Sequence, residues 1–445
     1  MRTSDLYGRR VVVWGAATEG RAAVERLRGR AELRVVVDGA PAAGEIGGVV
    51  VEPVGGDVLA WADVVVRSAG VPRYSPELTN SVSVEVTTLV ALWLADHVDD
   101  CVVGVTGTKG KSTTATLVSA LLNASGCRAE LAGNIGRPVY ELDTMAGVEA
   151  YVIEVSSYQA VDVTCSPRYG VLTNLAADHL NWHGNVERYR ADKLNLFAHG
   201  TRHLAVNGLD AVSRVEVSAA WPVTWYATEG YIVDDGVVRL DGRQVVDTTG
   251  SALAAHHLAL DLCGALTATR LVLGRPVAPV VADAVVRAYR ALPGRMESVA
   301  ADASIEFVDD VLATNPLAVE AALDSFADRP VVILLGGADR GVDLTAIADR
   351  IAAHPTPLTA VLLSETTTRW EALLDGRGVA TLAVEGDDVA DAVVAATAIA
   401  PAGAVVLFAP CAPTPAALGN YLDRSRLFRE AARAVVAQRA AATAP

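Results

Sequence analysis

The chain has 445 residues, 51% of them apolar, and a formal net charge of −15. That length suggests about three domains with sizeable cores. The acidic balance excludes a nucleic-acid partner and an anionic membrane surface, because phosphates are repelled overall. No apolar run is long enough to span a bilayer, and the N-terminus, MRTSDLYGRR, has no secretory-type stretch, so a cytoplasmic protein is expected. The five cysteines (101, 127, 165, 263 and 411) form no CxxC pair and read as small hydrophobes rather than metal ligands or disulfides. Of the 37 basic residues only Lys109, Lys111 and Lys193 are lysine. Under a bias toward arginine, lysine is kept where a reactive amine is needed that guanidinium cannot supply.

In chain order, residues 10–14 read as a buried strand, 15–20 as a turn and 21–27 as a helix. Val35–Asp38 and Val64–Val66 are further strands, the latter running into Ser68-Ala69-Gly70. Such alternation predicts a parallel α/β sheet. The Gly15–Gly20 turn is dinucleotide-like but has Ala17 where close pyrophosphate approach favours glycine, so an ordinary strand–helix turn is an equal reading.

A second α/β unit opens with strand Val102–Thr106, a glycine-rich loop and a helix to about Asn123, followed by strands at 151–155 and 170–174 and a helix over 187–197. Residues 201–251 read as an inserted β region of short strands and turns, and 252–273 as helix. Leu292-Pro293-Gly294-Arg295 reads as a linker. A third alternating unit has strands at 305–308, 331–335, 360–363 and 404–408, and the Ala-rich tail 436–445 is expected to fray. The expected domains are 1–97, 98–296 and 297–445, giving an α/β fold of three domains: Rossmann-like, P-loop ATPase-type and Rossmann-like.

The strongest chemical signal is Gly107-Thr108-Lys109-Gly110-Lys111-Ser112-Thr113 after an apolar strand. Backbone N–H groups at a helix start form an anion cradle, Lys111 supplies a cation for phosphates, and Ser112 a hydroxyl for Mg²⁺. Val105 replaces the first glycine of the longer loop pattern, so this is the short GxxGK[ST] form. Glu154 at a strand end, Asp178-His179 after the next strand, and Lys193 on the following helix are expected at the same sheet edge, where ligands bind. Taken singly, a strand-end glutamate such as Glu154 is more often a solvated cap and a lone histidine such as His179 more often a satisfied surface or core group; their grouping beside the loop favours function.

These motifs, with Gly133-Asn134-Ile135-Gly136, Glu154-Val155-Ser156-Ser157-Tyr158-Gln159, His183-Gly184 and Tyr189 to Lys193, resemble the Mur ligases over essentially the whole chain. Glu-x-Ser-Ser-[Phe/Tyr]-Gln resembles the MurD branch. Lys109, Ser-Ser-Tyr-Gln and Trp182 resemble its variant that adds L-glutamate and works with a MurL-type epimerase. The resemblance implies a ligase that joins glutamate to UDP-N-acetylmuramoyl-L-alanine through an acyl phosphate. It further implies ATP held by Gly107 to Thr113, Asp261, Arg295 and Asp310. Two Mg²⁺ ions are implied, one on Ser112 and Glu154, the other on His179 and on Lys193 carbamylated by CO₂. Carbamylation needs a neutral primary amine and turns it into an anionic oxygen ligand, which suits a hard cation. Thr18, Glu19, Asp38, Ser68, Gly70, Asn134, Ser156, Gln159 and His183 match positions around the nucleotide-sugar, and Arg340, Thr414 and Tyr421 positions around glutamate. A monomer is implied.

Departures from the family pattern are Leu258 and Asp261 in the adenine segment, Val311-Leu312 where the family has Ser-Lys, and Arg340 in place of lysine. An altered glutamate stereochemistry is consistent with the changed cations. Two other readings stand beside this one: a D-glutamate-adding ligase, and a non-catalytic Mur-like nucleotide-sugar-binding protein.

Overall fold

A computed structural model describes residues 1–39, 44–80, 84–217, 221–339, 341–386 and 388–443. The chain divides into two compact units, Met1–Ala288 and Tyr289–Pro445.

The first unit holds two six-stranded sheets. In the first, β1 (Arg10–Trp14), β2 (Glu32–Val37), β3 (Glu45–Ile46), β4 (Val49–Pro53), β5 (Val64–Arg67) and β6 (Glu85–Thr87) run in the order β3-β4-β2-β1-β5-β6. All neighbours are parallel except the short β3–β4 pair. The valine runs of β1 and β5 are buried on both faces, as expected of central strands covered by helices.

The second sheet is built from β7 (Val102–Thr106), β8 (Ala129–Gly133), β9 (Ala150–Glu154), β10 (Tyr169–Leu172), β11 (His203–Asn207) and β12 (Val223–Tyr226), all parallel, in the order β12-β11-β10-β7-β9-β8. Here the expected β region over 201–251 is corrected. β11 and β12 extend the parallel sheet, with the helix Ala211–Val217 between them. Only β13 (Tyr231–Asp234), β14 (Val237–Leu240) and β15 (Arg243–Asp247) form a separate antiparallel sheet. The strands are short because they are few-residue apolar runs, and length alone does not tell a buried parallel strand from a hairpin strand. The helix His256–Leu273 packs on the helix Lys111–Ala124 behind the phosphate-type loop.

The second unit carries β16 (Glu297–Ala301), β17 (Ile305–Asp309), β18 (Val331–Leu335), β19 (Leu358–Leu362), β20 (Ala380–Ala383) and β21 (Ala404–Phe408) in the order β16-β17-β21-β18-β19-β20. All pairs are parallel except β16–β17. Over the described part of the tail, 436–443, the chain is helical rather than frayed, as the last part of the helix Tyr421–Thr443. Alanine is the strongest helix former, and Arg439 Nε anchors this stretch to Asp302 Oδ2 at 2.6 Å.

Candidate active site

Strand order sets the geometry of the site. β7 lies between β9 and β10, with Val105 level with Glu154 and Thr106 level with Leu172. The loop after β7 therefore leaves the sheet at the same edge as Glu154 and the segment Thr173-Asn174. Ligand crevices form at this carboxyl edge, where the chain crosses from one side of the sheet to the other.

The loop is held from beneath. Thr108 N donates to Asn174 O at 3.0 Å and Lys109 N to Asn174 Oδ1 at 3.0 Å. Thr173 Oγ1 donates to Lys109 O at 2.5 Å. Gly107 has φ 152°, and a Cβ there would lie 1.7 Å from Thr173 Oγ1, so no side chain is accommodated. Gly110, at φ 81°, precedes the helix Lys111–Ala124 in the left-handed conformation that glycine adopts most readily. A Cβ there would meet Asp261 Oδ1 at 2.2 Å, which puts the Asp261 carboxyl against the loop. Lys111 Nζ folds back to Gly107 O at 2.9 Å and Thr108 O at 3.1 Å. Ser112 and Thr113 follow in the first helical turn, both buried.

Lys193, on the helix Val186–Leu194, is 2% exposed, and its Nζ also donates to Gly107 O, at 2.9 Å. Burial, reinforced by the nearby Lys111 charge, pushes its amine well below the usual lysine range, against the pull of Asp178 and Glu154. Glu154 is 1% exposed. Its Oε1 accepts from Asn134 Nδ2 at 2.8 Å, whereas its Oε2 is buried with no hydrogen-bond partner. A half-satisfied buried carboxylate is costly in water-free surroundings and is suited to a cation.

His179 is held at φ 53°, a left-handed conformation uncommon for a non-glycine residue, at the start of the helical turn Leu180–His183. Burial and the charges of Lys109, Lys111 and Lys193 lower its pKa to about 4, against the opposing pull of Asp178. The ring is therefore neutral near pH 7, as a metal ligand must be. Asp178 lies 4.0 Å from Lys109 Nζ; although burial opposes ionisation, Lys109 and His179 keep its carboxyl below the usual range. Among the described residues no group of three or more His, Cys, Asp or Glu forms a ready metal cage. Glu154, with its unpartnered buried Oε2, is the group here that suits Mg²⁺, an ion held by one or two carboxylates with phosphate and water oxygens completing its shell.

A cavity of about 220 Å³ lies beside this edge, lined by Thr18, Glu19, Ala69, Asn134, Gly136 and Gln159 among others. Four of the residues expected around a nucleotide-sugar thus share one wall. Glu19 Oε2 accepts from Ala69 N at 2.9 Å and Glu19 Oε1 from Gln159 Nε2 at 2.5 Å. Gln159 Oε1 in turn takes the N–H and hydroxyl of Ser156 at 3.0 and 3.1 Å. Ser68 packs under Gly15, and Gly70 and Asp38 are exposed on loops after β5 and β2.

His183 is fully buried, with Nε2 2.9 Å from Ser157 Oγ and Nδ1 2.7 Å from Asp192 Oδ2. Both ring nitrogens are thus engaged with protein groups. Sequence reasoning also missed a buried charge cluster. Arg67, at the end of β5, donates Nε to Asp162 Oδ2 at 2.7 Å, and Arg73 Nε reaches Asp162 Oδ1 at 2.9 Å. The Arg67 guanidinium lies 5.3 Å from the Trp182 ring centroid, and Tyr158 packs between Trp182 and His179 at 4.7 and 4.9 Å. The available signal was an arginine closing an all-valine strand.

In the second unit, Asp310 is buried and its Oδ1 accepts from Met296 N at 3.1 Å, next to Arg295, whose own N–H donates to Leu292 O at 3.0 Å. Thr414 follows Cys411, Ala412 and Pro413, which with Thr314, Thr366 and Arg369 line a cavity of about 20 Å³. Tyr421 opens the last helix and is 38% exposed. Arg340 lies outside the described residues.

Comparison with known proteins agrees with this architecture. Residues 105–230 match the Mur ligase middle domain and residues 294–412 the Mur ligase glutamate ligase domain. A Salinispora tropica protein named UDP-N-acetylmuramoyl-L-alanine–L-glutamate ligase is 38% identical, covering 97% of this chain and 99% of its own. A Micromonospora protein of the same name is 39% identical over 97% and 98%. Among solved structures, MurF ligase from Thermotoga maritima in complex with ADP aligns with TM-score 0.61 at 16% identity, over 99% of this chain and 98% of that one. Escherichia coli FolC aligns with TM-score 0.56 at 18% identity over 79% and 92%. With both family domains matched in order and full-length relatives above 30% identity, the chain belongs to the Mur ligase family.

Proposed function

We propose that this chain is an ATP-dependent ligase that adds L-glutamate to UDP-N-acetylmuramoyl-L-alanine in peptidoglycan synthesis. The observation that carries the reading is the end-to-end similarity, at 38% identity, to a relative named for that reaction. It is supported by the grouping of Lys111, Glu154, His179 and Lys193 around one glycine-rich loop.

In this reading Lys111 and the amides of Gly107 to Thr113 hold the ATP phosphates, with Asp261, Arg295 and Asp310 as further ATP-side groups. Ser112 and Glu154 hold one Mg²⁺, and His179 with Lys193, carbamylated by CO₂, the second; bound there, the ions offset charge on the phosphates. Thr18, Glu19, Asp38, Ser68, Gly70, Asn134, Ser156 and Gln159 line the path of the nucleotide-sugar, and Arg340, Thr414 and Tyr421 that of glutamate. His183 is engaged through both ring nitrogens, with Ser157 and Asp192. The alanyl carboxylate attacks the γ-phosphorus, ADP leaves, and the acyl phosphate is opened by the neutral amine of glutamate with loss of phosphate. Lys111 offsets the repulsion between the two anions of the first step. Domains 1–97, 98–296 and 297–445 divide the nucleotide-sugar, ATP and glutamate contacts of a cytoplasmic monomer. Use of L-glutamate requires a later epimerase of the MurL type.

The test is phosphate release with ATP, Mg²⁺ and UDP-N-acetylmuramoyl-L-alanine, with L- or D-glutamate in parallel. Release with L-glutamate alone is expected. Release with D-glutamate alone overturns the stereochemical assignment, and release with neither overturns the ligase reading.

A further inference from the structure

One buried hydrogen-bond chain links the three segments that carry Glu154, His179 and Lys193. Ser157, in the helical turn just after β9 and Glu154, meets His183 Nε2 at 2.9 Å. His183 ends the helical turn that begins after His179, and its Nδ1 meets Asp192 Oδ2 at 2.7 Å. Asp192 immediately precedes Lys193. The other carboxylate oxygen, Oδ1, accepts the Tyr74 hydroxyl at 2.6 Å. Tyr74 belongs to the segment after β5, in the first sheet's part of the unit, and its ring lies 4.6 Å from the Arg188 guanidinium. Ser157, His183 and Asp192 are 3%, 0% and 6% exposed, so water does not replace these bonds.

The chain has a direction. An Asp192 carboxylate can only accept, so His183 Nδ1 donates to it, and in the neutral ring Nε2 accepts from the Ser157 hydroxyl. Every member is satisfied in one rotamer set. Neighbouring residues on a helix project about 100° apart, following from 3.6 residues per turn. Pinning Asp192 on one side of the helix Val186–Leu194 thus aims Lys193 at Gly107. The segment that carries Tyr74 also carries Ala69, whose N–H is bonded to Glu19 on the wall of the 220 Å³ cavity.

We propose that Tyr74, Asp192, His183 and Ser157 are positioning residues that aim Lys193 at the phosphate-type loop, and that Tyr74 makes this aim depend on the segment bordering the cavity. The proposal rests on the reading of Lys193 as the residue that holds the second cation. Groups in this supporting role typically cost about 10–100-fold in metal affinity or activity when removed.

The full-length protein with Tyr74→Phe or Asp192→Asn tests it. kcat is expected to fall about tenfold or more, and the half-saturating Mg²⁺ concentration to rise about tenfold. KM for ATP and for UDP-N-acetylmuramoyl-L-alanine is expected to stay near wild type. After equilibration with ¹³C-bicarbonate, the lysine carbamate carbon signal of the wild type is expected to weaken in both variants. Tyr74→Phe removes one oxygen atom and is expected to fold, so loss of structure does not mask the result. Wild-type kcat and Mg²⁺ dependence in Tyr74→Phe would overturn the proposal. So would a loss of rate in both variants that follows melting temperature alone, with Mg²⁺ dependence unchanged. Absence of a carbamate signal in the wild type would remove the carbamate reading of Lys193, and kcat with Mg²⁺ dependence would still decide the positioning role.

Discussion

The amine of Lys193 and the carbonyl of Gly107 meet at 2.9 Å, across 86 residues of sequence. The contact joins a chain otherwise almost devoid of lysine to the one loop where its other two lysines stand. An amine so buried, with Lys111 bonded to the same carbonyl, is held toward its neutral form.

Glu154 offers one oxygen to Asn134 and leaves the other without a partner. Glu154→Gln keeps the shape and the Asn134 contact but removes the charge. The half-saturating Mg²⁺ concentration is expected to rise at least about tenfold, read from Mg²⁺ titrations of phosphate release.

Asp162 is shared by Arg67, which is fully buried, and Arg73. Asp162→Asn leaves the Arg67 charge buried without its counter-charge. Breaking such a pair costs about 3–5 kcal/mol, to be read by denaturant unfolding.

His97 ends the helix Leu89–Asp96, with Nδ1 2.7 Å from Asp100 and Nε2 3.1 Å from Asp143, stacked on Trp93. Burial works to lower its pKa, but the two carboxylates outweigh burial and the net shift is upward. A folded pKa above the unfolded one gives stability that is complete below about pH 6.5 and is lost as pH rises through the folded value. His97→Gln is therefore expected to lower the melting temperature below pH 6.5 and to leave it nearer wild type above the transition, measured by thermal melts across pH.

Asp309 in the second unit shows a shift in the same direction from a different cause. Burial raises its carboxyl to about 6, against the Ser425 hydroxyl, the Val311 N–H and Arg429. Its contribution is complete below the unfolded value and is lost as pH rises through about 6. Asp309→Asn is expected to flatten that loss, by about 3 kcal/mol at most, and to melt above wild type at pH 8.

Much of this was legible in the sequence for physical reasons. β1, β7, β18 and β21 were read with their observed limits because each is a valine- or leucine-rich run with a glycine or proline one or two residues past its end. Glu154, His179 and Lys193 were expected beside the loop because parallel strands bring their carboxyl ends to one edge. Residues 201–251 were misread because β11 and β12 are as short as hairpin strands, and only the pairing of β11 with β10, and of β12 with β11, makes them part of the main sheet. The tail was misread because low complexity hides a helix that one ion pair, Arg439 with Asp302, fastens down. Arg67 gave only the hint of an arginine closing a valine strand, its partner Asp162 lying 95 residues away, and Tyr74 and Asp192 gave no local signal, since they meet across 118 residues and Asp192 meets His183 across a buried turn.

The most direct measurement is phosphate release by Lys193→Arg with ATP, Mg²⁺, UDP-N-acetylmuramoyl-L-alanine and L-glutamate. Arginine retains positive charge but cannot become a neutral primary amine. The rate is predicted to fall by at least about a hundredfold, the scale of removing one electrostatic stabiliser of a transition state. A wild-type rate in that variant would contradict the account of the site.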